Sequence, residues 1–259
     1  MRTSSVTACR AELSRATGEE LRALIAFYEE DPRSGVRDAV GAAVRRVERE
    51  RAEAERLERM HELEDSLRAS GFALVAGVDE VGRGALAGPV SAAAVVLPAG
   101  VRIAGLDDSK RLTPDRRAVV AGRIRSEAVS VGVAHVPAHI ADALGMTAAV
   151  RCAMERALAL LRPPADHAIT DGLRVGLPIP ETPVVKGDAS IAAVAAASVV
   201  AKVERDALMA SLASHYPAWQ FHVNKGYGTP EHLNAIAVHG ICPLHRRSFA
   251  PCSEDPTLF

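Results

Sequence analysis

The sequence predicts an α/β protein: a mixed five-stranded sheet flanked by helices, with an N-terminal helical extension and a small C-terminal helical region. Short runs of branched or small apolar residues between glycines and prolines are typical of buried strands. Longer stretches with apolar residues three and four apart are typical of helices, and they alternate with the later strands, which favours parallel pairing there. The first two strands follow each other closely enough for an antiparallel hairpin.

The first 70 residues form the predicted helical extension. They are rich in Ala, Glu and Arg, and between residues 44 and 68 charges of both signs alternate along a helical apolar pattern. Asp31-Pro32 and Ser34-Gly35 predict a break that leaves two helical pieces. Two interpretations stay open: a solvated helix with ion pairs four residues apart, or an arm that contacts a partner or substrate.

Five strands and three helices follow from residue 72 onwards. Thr113-Pro114 opens the first helix, which runs to Glu127 with the threonine as N-cap. The second helix spans 138–161 and ends before Pro163-Pro164, and the third spans 189–214. The predicted strands are FALVAGVDE, PVSAAAVVLP, AVSVGVAHV, HAITDG and PVVKGD, which begin at residues 72, 89, 128, 167 and 183.

Composition and charge exclude some classes of protein. No run reaches the roughly 18 apolar residues of a membrane span, and the N-terminus lacks the apolar core of a secretory signal, so a cytoplasmic protein without membrane contact is expected. The four cysteines are far apart and form no C-x-x-C pair, which favours free thiols over a zinc site. The net charge of −1 neither indicates nor excludes a nucleic-acid partner, because phosphate binding depends on a local basic surface.

Acidic residues follow three of the predicted strands. Asp79 and Glu80 end the first strand, and Asp171 and Asp188 end the fourth and fifth. Strand ends at one edge of a sheet lie roughly 5 to 10 Å apart, so these carboxylates are able to converge. Grouped carboxylates are typical ligands of Mg²⁺ or Mn²⁺, and two such ions about 4 Å apart are suited to phosphodiester cleavage. Taken alone, each aspartate is more typical of a turn, so both interpretations stay open.

Longer motifs in a fixed order carry a family resemblance that covers residues 72–251. They are GVDEVGRGALAGPV, LDDSKRLTPDRR, ITDG, VVKGD, AAASVVAKVERD, YPAWQFHVNKGYGTPEHLNAI and CPLHRRSFAP. With these motifs the sequence resembles the bacterial ribonuclease HII family of the RNase H-like superfamily. The resemblance implies an RNase H-like fold and an endonuclease that hydrolyses RNA paired to DNA. It also implies cuts on the 5′ side of a single ribonucleotide in duplex DNA, leaving a 5′-phosphate and a 3′-hydroxyl.

The resemblance further implies a catalytic metal site and a domain plan. The metal-binding acids of the family fall on Asp79, Glu80, Asp171 and Asp188. The implied cofactor is Mg²⁺ or Mn²⁺, with two ions during catalysis. The implied domains are the helical extension (1–70), an RNase H-like catalytic domain (71–215) and a C-terminal region that contacts the substrate (216–259). After the last acid the family commonly has a lysine and other polar residues, whereas this chain has ASIA, so either a phosphate contact or a contact that supports the acids is expected to be missing.

Recognition of RNA is implied for two short motifs. Gly82, Arg83 and Gly84 match the family's GRG loop, which contacts the ribonucleotide and its 2′-hydroxyl mainly through backbone atoms. Glycine suits this role because the absence of a Cβ lets the main chain approach a ligand closely. Arg83 alternatively bridges the loop to the nearby acids. Tyr227 matches the family's tyrosine that stacks on the sugar beside the ribonucleotide.

Other polar residues are candidate substrate contacts, which would supply affinity without sequence choice. They are Lys110, Lys186, Lys225 and Arg246, with Arg111, His245 and Arg247 beside them. Ser198 and Lys202, one helical turn apart, are expected to support the acids, and Ser198 is also counted among the substrate-binding side chains. The alternatives are solvated surface charge for the basic residues and packing for the helical pair. The C-terminal histidines fit no metal-ligand spacing, so substrate contact or packing is expected.

Three functions are compatible with these residues. The first is the ribonuclease, the second a catalytically weak protein that binds RNA/DNA hybrids, and the third another nuclease or strand-transfer enzyme on the same acidic sheet. The presence of all four acids argues against the second, and the GRG loop with Tyr227 argues against the third. The expected partners are RNA/DNA hybrids and ribonucleotide-containing duplex DNA, bound by a monomer. The Leu258-Phe259 ending hints at contact with a replication clamp.

Overall fold

The computed structural model describes residues 4–253 of the chain. The Leu258-Phe259 ending, on which the predicted clamp contact depends, lies outside the described residues. Two compact units are present, residues 1–56 and residues 57–259. Their boundary falls inside a helix that ends at Ala69, whereas the helical extension was predicted to end at residue 70.

The N-terminal unit is built from helices packed on a small apolar core. The helices are α1 (Val6–Arg15), α2 (Gly18–Tyr28) and α3 (Ser34–Ala69). The sequence predicted two pieces, but a further break separates α1 from α2, because the backbone of Ala16 is extended. The Arg46 guanidinium donates to the carbonyls of Leu13, Ser14 and Ala16 at the end of α1. This side chain satisfies carbonyls that a helix end leaves without partners.

The second unit contains the predicted mixed sheet. Its strands are β1 (Val75–Val81), β2 (Val90–Val96), β3 (Ser130–Val136), β4 (His167–Asp171) and β5 (Glu181–Val184). The spatial order is β3-β2-β1-β4-β5. The β1–β2 and β2–β3 pairs are antiparallel, and the β1–β4 and β4–β5 pairs are parallel. The prediction of an initial hairpin followed by parallel strands is therefore confirmed.

Helices pack on both faces of this sheet, with α8 on one face and α6 on the other. The helices of the second unit are α4 (Pro114–Glu127), α5 (Ala138–Leu144), α6 (Met146–Ala159), α7 (Gly187–Ser190), α8 (Ala192–Leu212), α9 (Phe221–Asn224) and α10 (Pro230–His239). Two predicted long helices are each divided. Gly145, at φ 77°, separates α5 from α6, and Ile191, with an extended backbone, separates α7 from α8. The N-cap predicted at Thr113 is confirmed, since its hydroxyl accepts from the Arg116 amide.

A close helix-to-sheet contact joins α8 to β1, in the middle of the sheet. A Cβ built on Gly77 would lie 2.0 Å from the carbonyl carbon of Ala193, so this contact requires glycine. The buried Glu64 of α3 accepts a 2.7 Å hydrogen bond from the Ala193 amide and caps the start of α8. Together these contacts fix α8 against the strand that carries Asp79.

The structure also bears on the predictions about the cysteines and about membrane-spanning helices. The cysteines are free thiols, as predicted. Within residues 4–253, no helix is both long enough and apolar enough to cross a membrane.

Candidate active site

The predicted acids meet at one edge of the sheet. In the parallel β1–β4 pair, Val78 lies opposite Thr170, so the next residues, Asp79 and Asp171, are neighbours across the two strands. Asp188 reaches the same edge in another way than predicted: β5 ends at Val184, and Asp188 lies on α7. The amide that precedes Asp188 donates to Asp171 Oδ1 at 2.8 Å and holds α7 there. We call Asp79, Glu80, Asp171 and Asp188 the acidic edge.

Burial and neighbouring carboxylates disfavour the charged form of three of these acids. Burial, together with the charges of Glu80 and Asp171, raises the pKa of Asp79 to about 8, against a hydrogen bond from Ser198 that lowers it. Burial also raises the pKa of Glu80, where Arg83 acts in the opposite direction. The pKa of Asp171 is raised by burial and by the charge of Asp188. The acidic edge therefore holds more negative charge than its surroundings neutralise.

Only weakly held cations face these acids among the described residues. Lys110 Nζ lies 2.9 Å from Asp188 Oδ2, but the Lys110 side chain is 75% exposed. Arg83 lies 3.8 Å from Glu80 and is 62% exposed. Ion pairs exposed to this degree are screened by solvent and stabilise little. Both side chains can consequently leave these acids and bind another anion.

The donor set of the acidic edge fits hard divalent cations. Carboxylate oxygens are the ligands that Mg²⁺ and Mn²⁺ prefer, and a divalent ion would offset the surplus negative charge. With the side chains as they stand in residues 4–253, no three His, Cys, Asp or Glu residues converge on one point suited to a metal. Metal binding at the acidic edge would require rotation of these carboxylates and release of Asp188 from Lys110.

The GRG loop follows the acids directly. Gly82 has φ +83°, and a Cβ at this position would lie 2.1 Å from Arg205 Nε. Glycine is thus required at position 82 because the φ angle is positive and because Arg205 leaves no room for a Cβ. A Cβ on Gly84 would meet nothing within 4 Å, so the main chain there borders open space.

Tyr227 lies on a second loop that is bonded to the segment after the GRG loop. The Gly226 carbonyl accepts from the amides of Leu86 and Ala87 at 2.8 and 3.1 Å. The half-buried Tyr227 ring lies 5.2 Å from the Arg205 guanidinium and 5.4 Å from Lys202 Nζ. The structure therefore brings together the two motifs that the sequence predicted to contact the ribonucleotide.

The remaining predicted substrate contacts divide into exposed and buried side chains. Lys110 and Lys186 are exposed, while Lys225 is half-buried and its Nζ donates to the His222 carbonyl at 2.6 Å. Ser198 is buried, and its hydroxyl lies 2.9 Å from that of Ser109. Because Ser198 also bonds to Asp79, it is placed to support the acidic edge rather than to touch a substrate.

The basic cluster predicted at residues 245–247 needs correction. Arg246 is fully buried and donates to the carbonyls of Arg83 and Gly88, so its guanidinium does not face solvent where a phosphate would bind. His245 is also buried, and of the three only Arg247 is exposed. Sequence reasoning treated Arg246 as a surface charge because burial of a charged side chain depends on the distant carbonyls that satisfy it.

Two of the C-terminal histidines pack against each other beneath the Tyr227 loop. His232 Nδ1 lies 2.8 Å from the Tyr227 carbonyl, which only accepts, so this nitrogen carries the proton. His232 Nε2 then accepts from His245 Nε2 at 3.1 Å, and His245 Nδ1 accepts from the Cys242 amide at 2.9 Å. Both imidazoles are neutral in this arrangement. Packing is thus the outcome for these two histidines.

Two residues of the site were missed by sequence reasoning. Ser109 supports Ser198, and Arg205 contacts both substrate loops. Arg205 had a detectable signal, since it lies seven residues after Ser198 and four before the buried Met209. An arginine at these spacings falls on the apolar face of α8, where a charge requires specific partners.

Comparison with solved structures supports the fold. Ribonuclease H2 from Pyrococcus horikoshii OT3 superposes with a TM-score of 0.60 and 26% sequence identity, covering 70% of this chain and 95% of that chain. The shared fold, together with the four acids at one edge of the sheet of this chain, defines a nuclease of the RNase H-like class.

Comparison of sequences gives the family. The Ribonuclease HII profile matches residues 76–252, and the profile of the Ribonuclease HII N-terminal domain matches residues 5–68. The chain belongs to the ribonuclease HII family. It is 43% identical over 252 residues to ribonuclease HII of Geobacillus kaustophilus (strain HTA426), covering 93% of this chain and 97% of that protein. It is 45% identical over 224 residues to ribonuclease HII of Geobacillus thermodenitrificans (strain NG80-2), covering 86% of each. This protein is thus a ribonuclease H, an enzyme that acts on RNA/DNA hybrids and depends on divalent metal ions.

Proposed function

We propose that this ribonuclease hydrolyses the RNA strand of RNA/DNA hybrids and also cuts on the 5′ side of single ribonucleotides in duplex DNA. The observation that carries the proposal is that two chemically different features are adjacent along the chain. Asp79 and Glu80 lie near the end of β1, and directly after Val81 the chain enters the GRG loop at Gly82. A phosphate held at the acids would leave the neighbouring ribose against the glycine backbone.

Each part of the site has a role in this proposal. The four carboxylates of the acidic edge hold the reacting phosphate through Mg²⁺ or Mn²⁺. Two ions bound there would supply an activated water and stabilise the leaving oxygen, giving a 5′-phosphate and a 3′-hydroxyl. Backbone atoms of residues 82–84 contact the 2′-hydroxyl, which only RNA carries. Tyr227 stacks on the next sugar.

The exposed lysines supply affinity in this proposal. Lys110 and Lys186 border the acidic edge, and their ammonium groups would pair with backbone phosphates on either side of the cut. Without metal ion or substrate, Lys110 contacts Asp188. When both are bound, the metal ion would pair with Asp188 and a substrate phosphate would pair with Lys110.

A catalytically weak hybrid-binding protein is a second candidate. Two observations favour it: Lys110 pairs with Asp188, and no three described acids converge on one point. On this alternative the chain would bind hybrids at its basic side chains, and metal ions would change neither binding nor the integrity of the nucleic acid.

Three labelled duplexes separate these candidates: an RNA/DNA hybrid, a DNA duplex with one internal ribonucleotide, and an all-DNA duplex. Each is incubated with the protein and Mg²⁺ or Mn²⁺, and the products are resolved to the nucleotide. We expect cleavage of the first two, with the second cut on the 5′ side of the ribonucleotide. Equal cutting of the all-DNA duplex would refute selection by the 2′-hydroxyl, and binding without any cutting would favour the second candidate.

A further inference from the structure

Three loops are joined by backbone hydrogen bonds behind the proposed ribonucleotide site. The Leu86 amide donates to Gly226, the Gly88 amide donates to Leu244, and the Arg246 amide donates to Leu86, each at 2.8 Å. These bonds connect residues 82–89, 225–227 and 244–246, which we call the loop platform. Residues 82–89 lie more than a hundred positions from the other two segments, so side chains that donate to more than one segment add to the backbone bonds that hold them together.

Arg205 of α8 donates hydrogen bonds to two segments of the loop platform. It is fully buried. Its Nε donates to the Pro89 carbonyl at 2.9 Å, its Nη2 to Ala87 at 3.1 Å and its Nη1 to Lys225 at 2.9 Å. One planar guanidinium thus fixes carbonyls from two loops that are more than a hundred residues apart.

The same guanidinium also touches both motifs that are proposed to recognise the ribonucleotide. A Cβ on Gly82 would lie 2.1 Å from Arg205 Nε and 2.7 Å from its Cζ. On the other side, the Arg205 Cζ lies 5.2 Å from the centre of the Tyr227 ring, which is the distance of a cation–π contact. Arg205 therefore stands between the start of the GRG loop and the tyrosine.

No described carboxylate forms an ion pair with Arg205, and its hydrogen bonds go to backbone carbonyls. A buried cation is costly unless its donors are all well placed, and the fork of arginine, unlike the point charge of lysine, serves several fixed acceptors at once. Rotation of the peptide groups at Ala87, Pro89 or Lys225 would break a charge-assisted bond. The charge thereby stabilises the peptide orientation of both loops.

We propose that Arg205 is a positioning residue that sets the distance between the GRG loop and Tyr227. Selection of a ribonucleotide over a deoxyribonucleotide then depends on a side chain that does not reach the nucleic acid. The inference rests on the proposed function of these two motifs as ribonucleotide contacts. Arg246 supports the far side of the same loop, since it donates to the carbonyls of Arg83 and Gly88.

The test measures selectivity by binding alone. Dissociation constants are determined without divalent ions for a DNA duplex with one ribonucleotide and for the matching all-DNA duplex. The proteins are the wild type, Arg205→Lys, Arg205→Gln and Arg205→Met, with Arg156→Met on the exposed side of α6 as a matched control. Circular dichroism and the melting temperature establish which variants fold.

We expect the ratio of the two dissociation constants to fall about 10-fold or more in the folded Arg205 variants, as small displacements of positioning groups produce. The affinity for all-DNA duplex should change less than about 2-fold, because Arg205 touches no phosphate. In the Tyr227→Ala background the lysine substitution should have little further effect on the ratio, since coupled residues are not additive. The control variant should keep the wild-type ratio.

Three outcomes would overturn the inference. A folded lysine, glutamine or methionine variant that keeps the wild-type ratio would show that the spacing does not depend on the guanidinium. Additive effects with Tyr227→Ala would show that Arg205 does not act through the tyrosine. Unfolding of all three variants would assign Arg205 to stability alone. A wild-type protein that binds both duplexes equally would instead refute the proposed function.

Discussion

The acidic edge and the loop platform are adjacent, partly buried and charged, but they are built in opposite ways. In the acidic edge, burial and mutual repulsion raise the pKa values of Asp79, Glu80 and Asp171. Arg246 within the loop platform and Arg205 beside it are fully buried cations whose hydrogen bonds go to carbonyl groups. The charges of the acidic edge therefore repel one another, whereas the charges at the loop platform are satisfied by carbonyl groups of the protein.

The two regions also differ in what holds them in place. Asp79 and Asp171 are positioned by the register of a parallel strand pair, which survives the loss of any single side chain. The loop platform is positioned by side-chain donors whose removal frees several carbonyls together. Substitutions at the acidic edge should alter charge and preserve shape, whereas substitutions in the loop platform should alter shape.

The largest effect is expected from Asp79→Asn. Cleavage of an RNA/DNA hybrid should fall about a thousandfold, because one of the carboxylates proposed to hold the metal ions is lost. Hybrid binding without divalent ions should change less than about 3-fold. At pH 7 the variant should also resist urea better than the wild type, since a pKa raised to about 8 means that folding disfavours the charged form. Gel-based cleavage and urea denaturation measure the two effects.

Asp115→Asn, at an exposed position in the first turn of α4, is the matched control for that experiment. It should retain wild-type cleavage and gain no stability. Full activity of Asp79→Asn would show that Asp79 is not part of the catalytic site. It would also contradict the expected difference between the acidic edge and the loop platform.

The second effect concerns the shape of the loop platform and compares Gly82→Ala with Gly84→Ala. The first substitution places a Cβ 2.1 Å from Arg205 at a positive φ and should cost about 3 kcal/mol of stability. The second adds a Cβ that meets nothing within 4 Å and should cost less than about 1 kcal/mol. Thermal melting of the free proteins measures both, and equal losses would contradict the close contact between Gly82 and Arg205.

A third effect is the pH dependence of the loop platform. Burial lowers the pKa of His245 to about 4, and His232 adds to the shift; burial also lowers the pKa of His232 itself. The unfolded chain, with histidine pKa near 6.5, binds more protons between pH 6.5 and 4, so stability falls as the pH falls through this window. For His245 alone the loss between pH 7 and pH 5 should be about 2 kcal/mol.

Urea denaturation at the two pH values checks this prediction, with two substitutions for comparison. His245→Asn should be less stable at pH 7 but lose less on acidification, while His222→Asn, at an exposed position, should follow the wild type. An unchanged pH slope in His245→Asn would show that His245 is not the titrating group.

The smallest effect is expected from Lys110→Met. Solvent screens the Lys110–Asp188 pair because the Lys110 side chain is 75% exposed, although Asp188 is buried, so stability should change by less than about 1 kcal/mol. If Lys110 also binds one phosphate, the slope of log binding constant against log salt should decrease by about 1. Titrations of a hybrid at several salt concentrations measure this slope. Arg156→Met should leave it unchanged, and so should Lys110→Met if the side chain serves only Asp188.

The acidic edge could be largely predicted from the sequence, whereas the loop platform could not. Asp79, Glu80 and Asp171 end strands, and strand ends meet at one edge whatever the details of the helices. Asp188 was placed on the wrong element because a single left-handed residue, Lys186, turns the chain from β5 into α7. That conformation carries little signal in the sequence.

The buried arginines depend on contacts that no local pattern contains. Arg205 meets the carbonyl of a residue 116 positions away, and Arg246 meets one 158 positions away. The sequence does not distinguish an arginine with a buried guanidinium from one with an exposed guanidinium. Only the contacts between the folded loops determine which of the two it is. The resemblance to a family identified the motif around Arg246, but it did not reveal which way the side chain points.

The contact between Gly77 and α8 has a consequence for how this sequence can diverge. Any side chain at position 77 would collide with main-chain atoms of Ala193 and Val194, not with a side chain that another substitution could shorten. The facing part of α8 is already alanine at most positions, so it offers no smaller residue as a compensating change. In a saturation library we therefore expect position 77 to accept glycine alone. Revertants of a Gly77 variant should restore glycine itself, because no second-site suppressor on α8 can make room.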